Sequence, residues 1–503
     1  MAGMVSNIAV FVLCVPIYVL AFRKSGGREW RGALFLILIA GLILRMYAAS
    51  DRCLHTWDER YHALVAKNAI LHPLTPTLFE DPVLPYDFKD WTANHIWLEK
   101  GPVPLLAVSG SIRLFGTDEL AVRVPSVLVS LLSVYLTYLI ASLLLDRETG
   151  ILAAFFHSIN GLLIELPAGR VSSDHVDTFF IFFIELGIYL SILYLIGNRR
   201  WYIPLLIGLS TGTAVLCKWF PALVVFPVWT SGVLLMRNCP VRRLLAALAL
   251  ATAGCLIVVG PYLAYIHAAF PQEAAWVVRK YLLAYVDTVD AHSAPFYYYI
   301  QKTGVVFGEL IYVPLLLGLY EIVRRRADWR IGTLTVWWML PMLVFSLAET
   351  KRFTYLLISA PAFFILLSHY WRRIANWKDC GSHRWAVSLL LFLLVALPVR
   401  YSIDRITPFE NRDTTPKWSS YVKSLKDALV ARNRVVVFNV EHNVEAMFYS
   451  GLTIYNFIPD ETTIRRLTRN GYRVVINDDG KPGNAFTLMD QVEVLKLVPA
   501  EEQ

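Results

Sequence analysis

About twelve times along its 503 residues the chain runs apolar for long enough, or nearly long enough, to cross a bilayer as a helix. Runs of this kind leave little choice of fold. In hydrocarbon each segment must satisfy its own backbone, so recurrent apolar runs predict a polytopic α-helical membrane protein. With 56% hydrophobic and 17% charged residues and a mean hydropathy of +0.50, the composition excludes an ordinary soluble domain. Spans are expected at about 6–22, 32–49, 122–145, 150–168, 177–196, 201–217, 221–236, 243–263, 304–322, 331–347, 355–371 and 385–400. The sixth and seventh are short and are separated by Lys218 and Pro221, as in a broken hairpin.

The net charge of +8 would suggest nucleic acid in a soluble protein, but here the basic residues sit in short connections between spans. "RKSGGREWR", "GNRRW", "MRNCPVRR", "VRRRADWR" and "WRRIANWKDCGSHR" fall on one face if there are twelve spans, which marks that face as cytoplasmic and argues against a nucleic-acid partner. The first apolar run is followed, not preceded, by its basic residues and reads as a retained span with its N-terminus outside. Residues 50–121, residues 264–303 and everything after about 401 are then extracytoplasmic. This gives a transmembrane domain over 1–400, whose first outer loop is 50–121, and a smaller domain over 401–503. In the latter, "RVVVFNV" and "YRVVIND" read as buried strands, and "VEAMFYSG" and "ETTIRRLTRNG" as short helices. A small extracytoplasmic α/β domain is expected, with no phosphate loop or nucleophile elbow. The six cysteines form no CxxC pair, which argues against a disulfide framework or a zinc site. Cys53 is expected outside, and Cys239 and Cys380 inside.

An enzyme outside the cytoplasm has no nucleoside triphosphate at hand. If it builds something, its activated donor arrives anchored in lipid. Such chemistry needs a carboxylate to activate an acceptor, cations for a phosphate leaving group, and a groove for a lipid tail. The sequence "HTWDERYHALVAKN" sets Asp58 and Glu59 side by side at a helix start just after the second span, with His62 behind them. Neighbouring helical residues point about 100° apart, so one carboxylate can face a cavity while the other makes a structural contact. A plainer alternative is an acidic helix N-terminus capped by Thr56 or Asp58. In the same loop "EKGP" carries Glu99 and Lys100, a lysine for a donor phosphate or for lipid headgroups.

"AGRVSSDHVDTFF" supplies Arg170 and Asp174, which also stand at the spacing of a helical ion pair. "LCKWFPALVVFP" puts Lys218 at the hairpin apex, and "ETKRFTYLLISAPA" offers Lys351, Arg352 and Tyr355. Arg279 and Lys280 precede an aromatic cluster whose plainer reading is interfacial anchoring. His55, His62, His72 and His95 share the first loop, but no two of them stand at i, i+4. A protein-bound metal is therefore not favoured, and no cofactor is assigned.

Taken together and in order, these motifs resemble the GT-C polyprenyl-phosphate-dependent glycosyltransferases, in particular the protein O-mannosyltransferase group and the lipid A aminoarabinose transferases. "DERYHA", "EKGPVPLL", "RLFGTDELAVRVPSVL", "GRVSSDHVDTFF", "LCKWFPALVVFP" and "TKRFTYLLISAP" carry the likeness, over about residues 50–370. The resemblance implies a GT-C fold and an inverting transfer of a sugar from a polyprenyl-phosphate donor. The acceptor hydroxyl or phosphate would belong to lipid, protein or glycan on the extracytoplasmic face of the inner membrane. It implies Asp58 as general base with Glu59 beside it, and Lys100 at the donor phosphate. Arg279, Lys280, Lys351 and Arg352 are further candidate cations, and Asp174 a second carboxylate. His62, Glu99, Arg170, Lys218 and Tyr355 are candidates for the substrate site. Three positions depart from the family pattern: His62 for tyrosine, Gly101 for proline, and Trp219 for the hairpin glycine. The alternatives are a transporter or a non-catalytic GT-C-like scaffold. The absence of an inverted repeat, and charges gathered outside instead of at the midplane, count against the transporter.

Overall fold

Two of the apolar runs break in mid-course, and in each case the sequence supplies the cause. At Asn160, helix Arg147–Ile159 ends and Gly161–Glu165 begins. The Asn160 side chain accepts from Leu163 N at 3.2 Å and donates to Val306 O at 2.9 Å, so it caps the segment after the 63° bend and ties the bend to helix Tyr298–Phe307. At Gly308, with φ 90°, Tyr298–Phe307 gives way to Glu309–Val323 through a 113° bend. The computed structural model describes residues 2–171, 174–197, 199–237, 240–289, 292–324, 328–377, 384–406, 416–429, 434–479 and 492–497. Cys239, Cys380, Ser172 and Ser173 lie outside these described residues, and with them the expected cytoplasmic placing of the two cysteines.

Among the described residues, eight helices are long and apolar enough to span a membrane, or ten if each bent pair is one span. All ten fall on expected runs. The other two runs are the shorter helices Tyr202–Lys218 and Phe220–Met236, so the structure gives eight to ten spans by length and composition where about twelve were expected. The protein is a multi-pass helical membrane protein.

The chain divides into two compact units, Met1–Ala49 with Ser126–Arg412, and Ser50–Pro125 with Asp413–Gln503. The first is the helical membrane unit. Its interior is stitched by polar side chains: Arg45 donates to Ser130 Oγ and to the carbonyls of Gly41 and Ser158. Thr137 joins His157 to Glu185. Buried polar groups of this kind persist only when partnered.

The second unit joins the segment that follows the second span to the C-terminal residues. It holds a four-stranded parallel sheet in the order β2-β1-β3-β4, built from β1 Val435–Phe438, β2 Thr453–Ile454, β3 Arg473–Asn477 and β4 Val492–Leu495. The central strands read as continuous apolar runs because both faces of the sheet are covered. Helices Asn443–Ser450 and Glu461–Arg469 supply the crossovers that parallel pairing requires. These are the two strands and two helices expected from sequence. Helix Lys417–Leu429 and the strands β2 and β4 were not.

One core carries Leu64 and Val65 of helix Asp58–Asn68 together with Val436, Phe438, Trp418 and Phe448. That places the "DERYH" helix in one unit with the C-terminal sheet, although the outer loop was expected to belong to the 1–400 domain. Arg60 pairs with Glu445 at 3.3 Å, and Lys67 donates to Met447 O and Phe448 O at 3.3 and 2.5 Å.

Candidate active site

In the sheet-bearing unit, helix Asp58–Asn68 begins with two acids, which suits the partial positive charge of a helix N-terminus. Neither Thr56 nor Asp58 caps it. Trp57 holds the N-cap position and makes no side-chain cap hydrogen bond. The two carboxylates then part company. Glu59 is fully buried against an equally buried Arg123, bidentate, with Nε–Oε1 at 2.7 Å and Nη2–Oε2 at 2.9 Å. Its Oε2 also accepts from His55 N at 2.7 Å. Arg123 extends the clamp to Asp51 O and Cys53 O, both at 2.6 Å. Loop 51–55 is thereby tied to the helix through charge-assisted bonds.

Asp58 is half-buried and makes no side-chain hydrogen bond or ion pair among the described residues. One turn on, His62 is buried with its ring edge-on to Trp97 at 5.3 Å. Glu99 is buried, and Lys100 is half-buried immediately before Gly101, the N-cap of helix Pro102–Phe115. Cys53 is also buried, and burial pushes its thiol up to about 12.

The membrane unit gathers a different subset. Asp174 is buried and caps helix His175–Leu195, accepting from Val176 N at 3.2 Å. Arg170 Nε donates to Ala48 O at 2.8 Å. Lys218 ends helix Tyr202–Lys218 and pairs with Asp177 at 2.5 Å, both nearly inaccessible. Its ammonium also lies 5.2 Å from the Tyr355 ring centroid. Tyr355 in turn stacks on Phe345 at 4.2 Å.

Trp219 follows with φ 62° and ψ −149°, a region that is nearly glycine's alone and costs another residue roughly 1–3 kcal/mol. Its ring stacks on Tyr281 at 5.6 Å. Lys218, Trp219, Tyr281, Tyr285, Phe345 and Tyr355 are among the residues that line one narrow cavity. The wall is held by backbone bonds from Glu349 N, Thr350 N and Lys351 N to the carbonyls of Tyr285, Ala284 and His292. Burial, with Tyr355 nearby, pushes the Tyr285 hydroxyl up to about 12.

The remaining cation candidates are dispersed. Lys351 is buried and turns its ammonium back onto Ala348 O at 2.6 Å, closing the end of helix Trp329–Leu347. The Arg352 backbone is clamped by the Tyr299 hydroxyl. Arg279 is exposed and Lys280 half-buried on helix Pro271–Leu283. Among the described residues no group of three or more His, Cys, Asp or Glu side chains is placed to hold a metal ion. Sequence reasoning did not assign the Lys218–Asp177 pair or the Trp219–Tyr281 stack. The visible signal was a tryptophan between a lysine and Phe220-Pro221, at a helix end where glycine is the usual terminator.

This helical unit with a sheet-bearing companion is a GT-C fold. An ArnT from Cupriavidus metallidurans bound to undecaprenyl phosphate superposes with a TM-score of 0.63 over 89% of this chain and 94% of its own, at 14% identity. The archaeal oligosaccharyltransferase AglB from Archaeoglobus fulgidus gives 0.57 over 89% and 69%, at 12% identity. Within that class the family described as dolichyl-phosphate-mannose-protein mannosyltransferase matches residues 99–265. An undecaprenyl phosphate-alpha-4-amino-4-deoxy-L-arabinose arabinosyl transferase of Pseudomonas aeruginosa is 27% identical over 299 residues, covering 56% of this chain and 52% of the relative. The chain thus spans about half the length of this curated relative.

Proposed function

We propose that this chain is an inverting glycosyltransferase that moves a sugar from a polyprenyl-phosphate donor to an acceptor of the cell envelope. The acceptor is a hydroxyl or phosphate of lipid A, a protein or a glycan, reached on the periplasmic face of the inner membrane. The observation that carries this reading is the divided carboxylate pair: Glu59 is locked on Arg123, while its neighbour Asp58 is held at a helix start with its carboxylate uncommitted. The relatives act on, and the ArnT structure holds, polyprenyl phosphates, which supports the donor class.

In this mechanism Asp58 takes the proton of the acceptor hydroxyl as its oxygen attacks the anomeric carbon. The bond from that carbon to the phosphate oxygen breaks, and the lipid phosphate leaves with the electron pair as an anion. Lys100 meets that charge as a compact donor, with Arg279, Lys280 and Arg352 as further candidates. Lys351 is the weakest of the set, since its ammonium already serves Ala348 O. Glu59 positions the helix start and does not touch the reacting atoms. Asp174 caps helix His175–Leu195 and Arg170 holds Ala48 O, and Lys218 and Tyr355 belong to the cavity wall. Glu99 and His62 support the loop that carries Lys100.

The deciding variant is Asp58→Asn, assayed by transfer from a purified polyprenyl-phosphate sugar. Turnover should fall by roughly two to four orders of magnitude with donor binding retained; near-normal turnover would sink the proposal. Orientation is tested separately. Cys53 is buried with a high thiol pKa, so native labelling there is unsuitable. Thr56 is exposed, and Thr56→Cys should react with an impermeant maleimide in intact cells.

A further inference from the structure

Trp57 stands where a helix start is best served by serine, threonine, asparagine or aspartate, and it forgoes the cap. It gains no core in exchange. The indole is 59% exposed and, among the described residues, makes no ring contact, hydrogen bond or cation contact. The other tryptophans of the sheet-bearing unit all have aromatic partners: Trp91 packs on Tyr61 at 4.9 Å, Trp97 on His62 at 5.3 Å and Trp418 on His442 at 4.0 Å. A single exposed apolar residue is ordinary. This one is set apart by how firmly it is presented and by what stands beside it. Two residues earlier, His55 N donates to Glu59 Oε2 at 2.7 Å and the His55 ring lies 3.1 Å from Asp51 Oδ2. Two residues later, Glu59 is clamped by Arg123. The indole is carried on backbone fixed at both ends, and its chain neighbour is Asp58.

What can lie on such a ring follows from its electrostatics. The negative face of an indole attracts the weakly positive C–H groups on one side of a pyranose, while the sugar hydroxyls at the rim stay in water. A tryptophan can also anchor in lipid at the membrane surface. The surroundings separate the two uses. Around Trp57 the chain offers exposed Arg52, exposed Thr56 and half-buried Asp58, polar groups that suit a wet saccharide. The apolar side chains Leu106, Leu114 and Phe115, also exposed in this unit, stand on a different helix, Pro102–Phe115. Building on the transferase reading above, we infer that Trp57 is the platform on which a sugar ring of the acceptor stacks. The acceptor is then a glycolipid or a glycan, not the hydroxyl side chain of a protein. Stacking on Trp57 holds the acceptor ring beside Asp58, which converts a chance encounter with the base into an oriented one.

The test measures binding of three probes to the purified full chain in nanodiscs. They are a soluble glucosamine disaccharide, a serine-bearing tripeptide, and bare undecaprenyl phosphate. Wild type should bind the disaccharide more tightly than the tripeptide, and Trp57→Ala should weaken the disaccharide by roughly tenfold. Its affinity for undecaprenyl phosphate should stay within about twofold. The thermal midpoint should not move, because the indole has no ring contact to lose. Trp57→Phe should restore most of the loss. Trp57→Leu should not, since leucine keeps apolar surface for a lipid interface but has no π face. Equal restoration by leucine and phenylalanine would show a lipid anchor and overturn the platform. An unchanged disaccharide affinity in Trp57→Ala would overturn it too, as would equal losses for disaccharide and tripeptide or no disaccharide binding by wild type. The transferase reading fails by different signs: no binding of undecaprenyl phosphate by wild type, or full turnover in Asp58→Asn.

Discussion

The start of helix Asp58–Asn68 and the end of helix Tyr202–Lys218 are built on one plan with opposite outcomes. Each sets an ionisable residue in a buried ion pair, Glu59 on Arg123 and Lys218 on Asp177, and presents its chain neighbour beside it. At the first place the neighbour is Asp58, in a relaxed helical turn with its carboxylate uncommitted. At the second it is Trp219, in a strained turn with its ring packed away. The difference shows what a buried pair does in this protein. It fixes backbone, and the residue beside it inherits the position: in one case a carboxylate without a partner among the described residues, in the other a packed ring.

The comparison breaks most sharply at the adjacent acids. Asp58→Asn should cost roughly 10²–10⁴ in turnover and leave the thermal midpoint of the detergent-solubilised protein unchanged. Glu59→Gln should do the reverse, lowering the midpoint while the turnover of the folded fraction is largely kept. Asparagine at 58 that behaves like glutamine at 59 would mean that the two acids share one role.

Breaking the pairs comes next. Arg123→Ala and Lys218→Ala each strand a buried carboxylate and should cost about 3–5 kcal/mol, read as loss of folded yield and of thermal midpoint. Removing both partners separates the two sites. Lys218→Met with Asp177→Leu should recover most of the loss, because a buried ion pair replaced by apolar groups is often neutral. Arg123→Met with Glu59→Leu should recover less, since Arg123 also serves Asp51 O and Cys53 O, and those carbonyls would be left unsatisfied. Equal recovery at both places would show that the carbonyl contacts of Arg123 are dispensable. Lys100→Ala is smaller again. It should weaken donor binding roughly tenfold, partly restored by Lys100→Arg, whose charge is the same but whose geometry differs.

Much of this was legible in the sequence. Among the described residues the apolar runs located each helix long and apolar enough to span, because a backbone in lipid has only the helix to satisfy it. The order of "DERYH", "EKGP" and the later motifs picked out residues that the structure then distributes between two units. What could not be read were pairings over long separations. Arg123 lies 64 residues from Glu59, and Lys218 lies 41 from Asp177; nothing local marks either as a partner. The strands β2 and β4 are two and four residues long, too short for period-two alternation to stand out. The grouping of 50–125 with 413–503 is likewise a tertiary fact. It rests on side chains such as Tyr449, whose hydroxyl donates to Glu119 at 2.6 Å across 330 residues of chain.

The smallest expected effect compares Lys218 with a half-buried lysine. Lys218 has a carboxylate; Lys67, at the far end of the "DERYH" helix, donates to the carbonyls of Met447 and Phe448 and lies over the Phe448 ring. Burial pulls the Lys67 ammonium down from 10.5 to about 8, with the charge of Glu80 opposing it. Unfolded, Lys67 keeps its proton up to about 10.5; folded, it releases it near 8. Between these values the unfolded chain binds more protons, so the Lys67 contribution makes stability rise with pH across that window. Below pH 8 both states are protonated and the full penalty of burying the charge applies. The gain is bounded by about 3 kcal/mol, since moving a pKa by one pH unit corresponds to about 1.36 kcal/mol, and the two carbonyl acceptors reduce it. Lys67→Met removes the titrating group. Relative to that variant, the wild-type thermal midpoint should climb between pH 8 and 10.5 and run parallel to it below pH 7.5. A parallel course throughout would mean that the two carbonyls, placed at the end of helix Asn443–Ser450 where the dipole favours a cation, compensate the charge as completely as Asp177 does for Lys218.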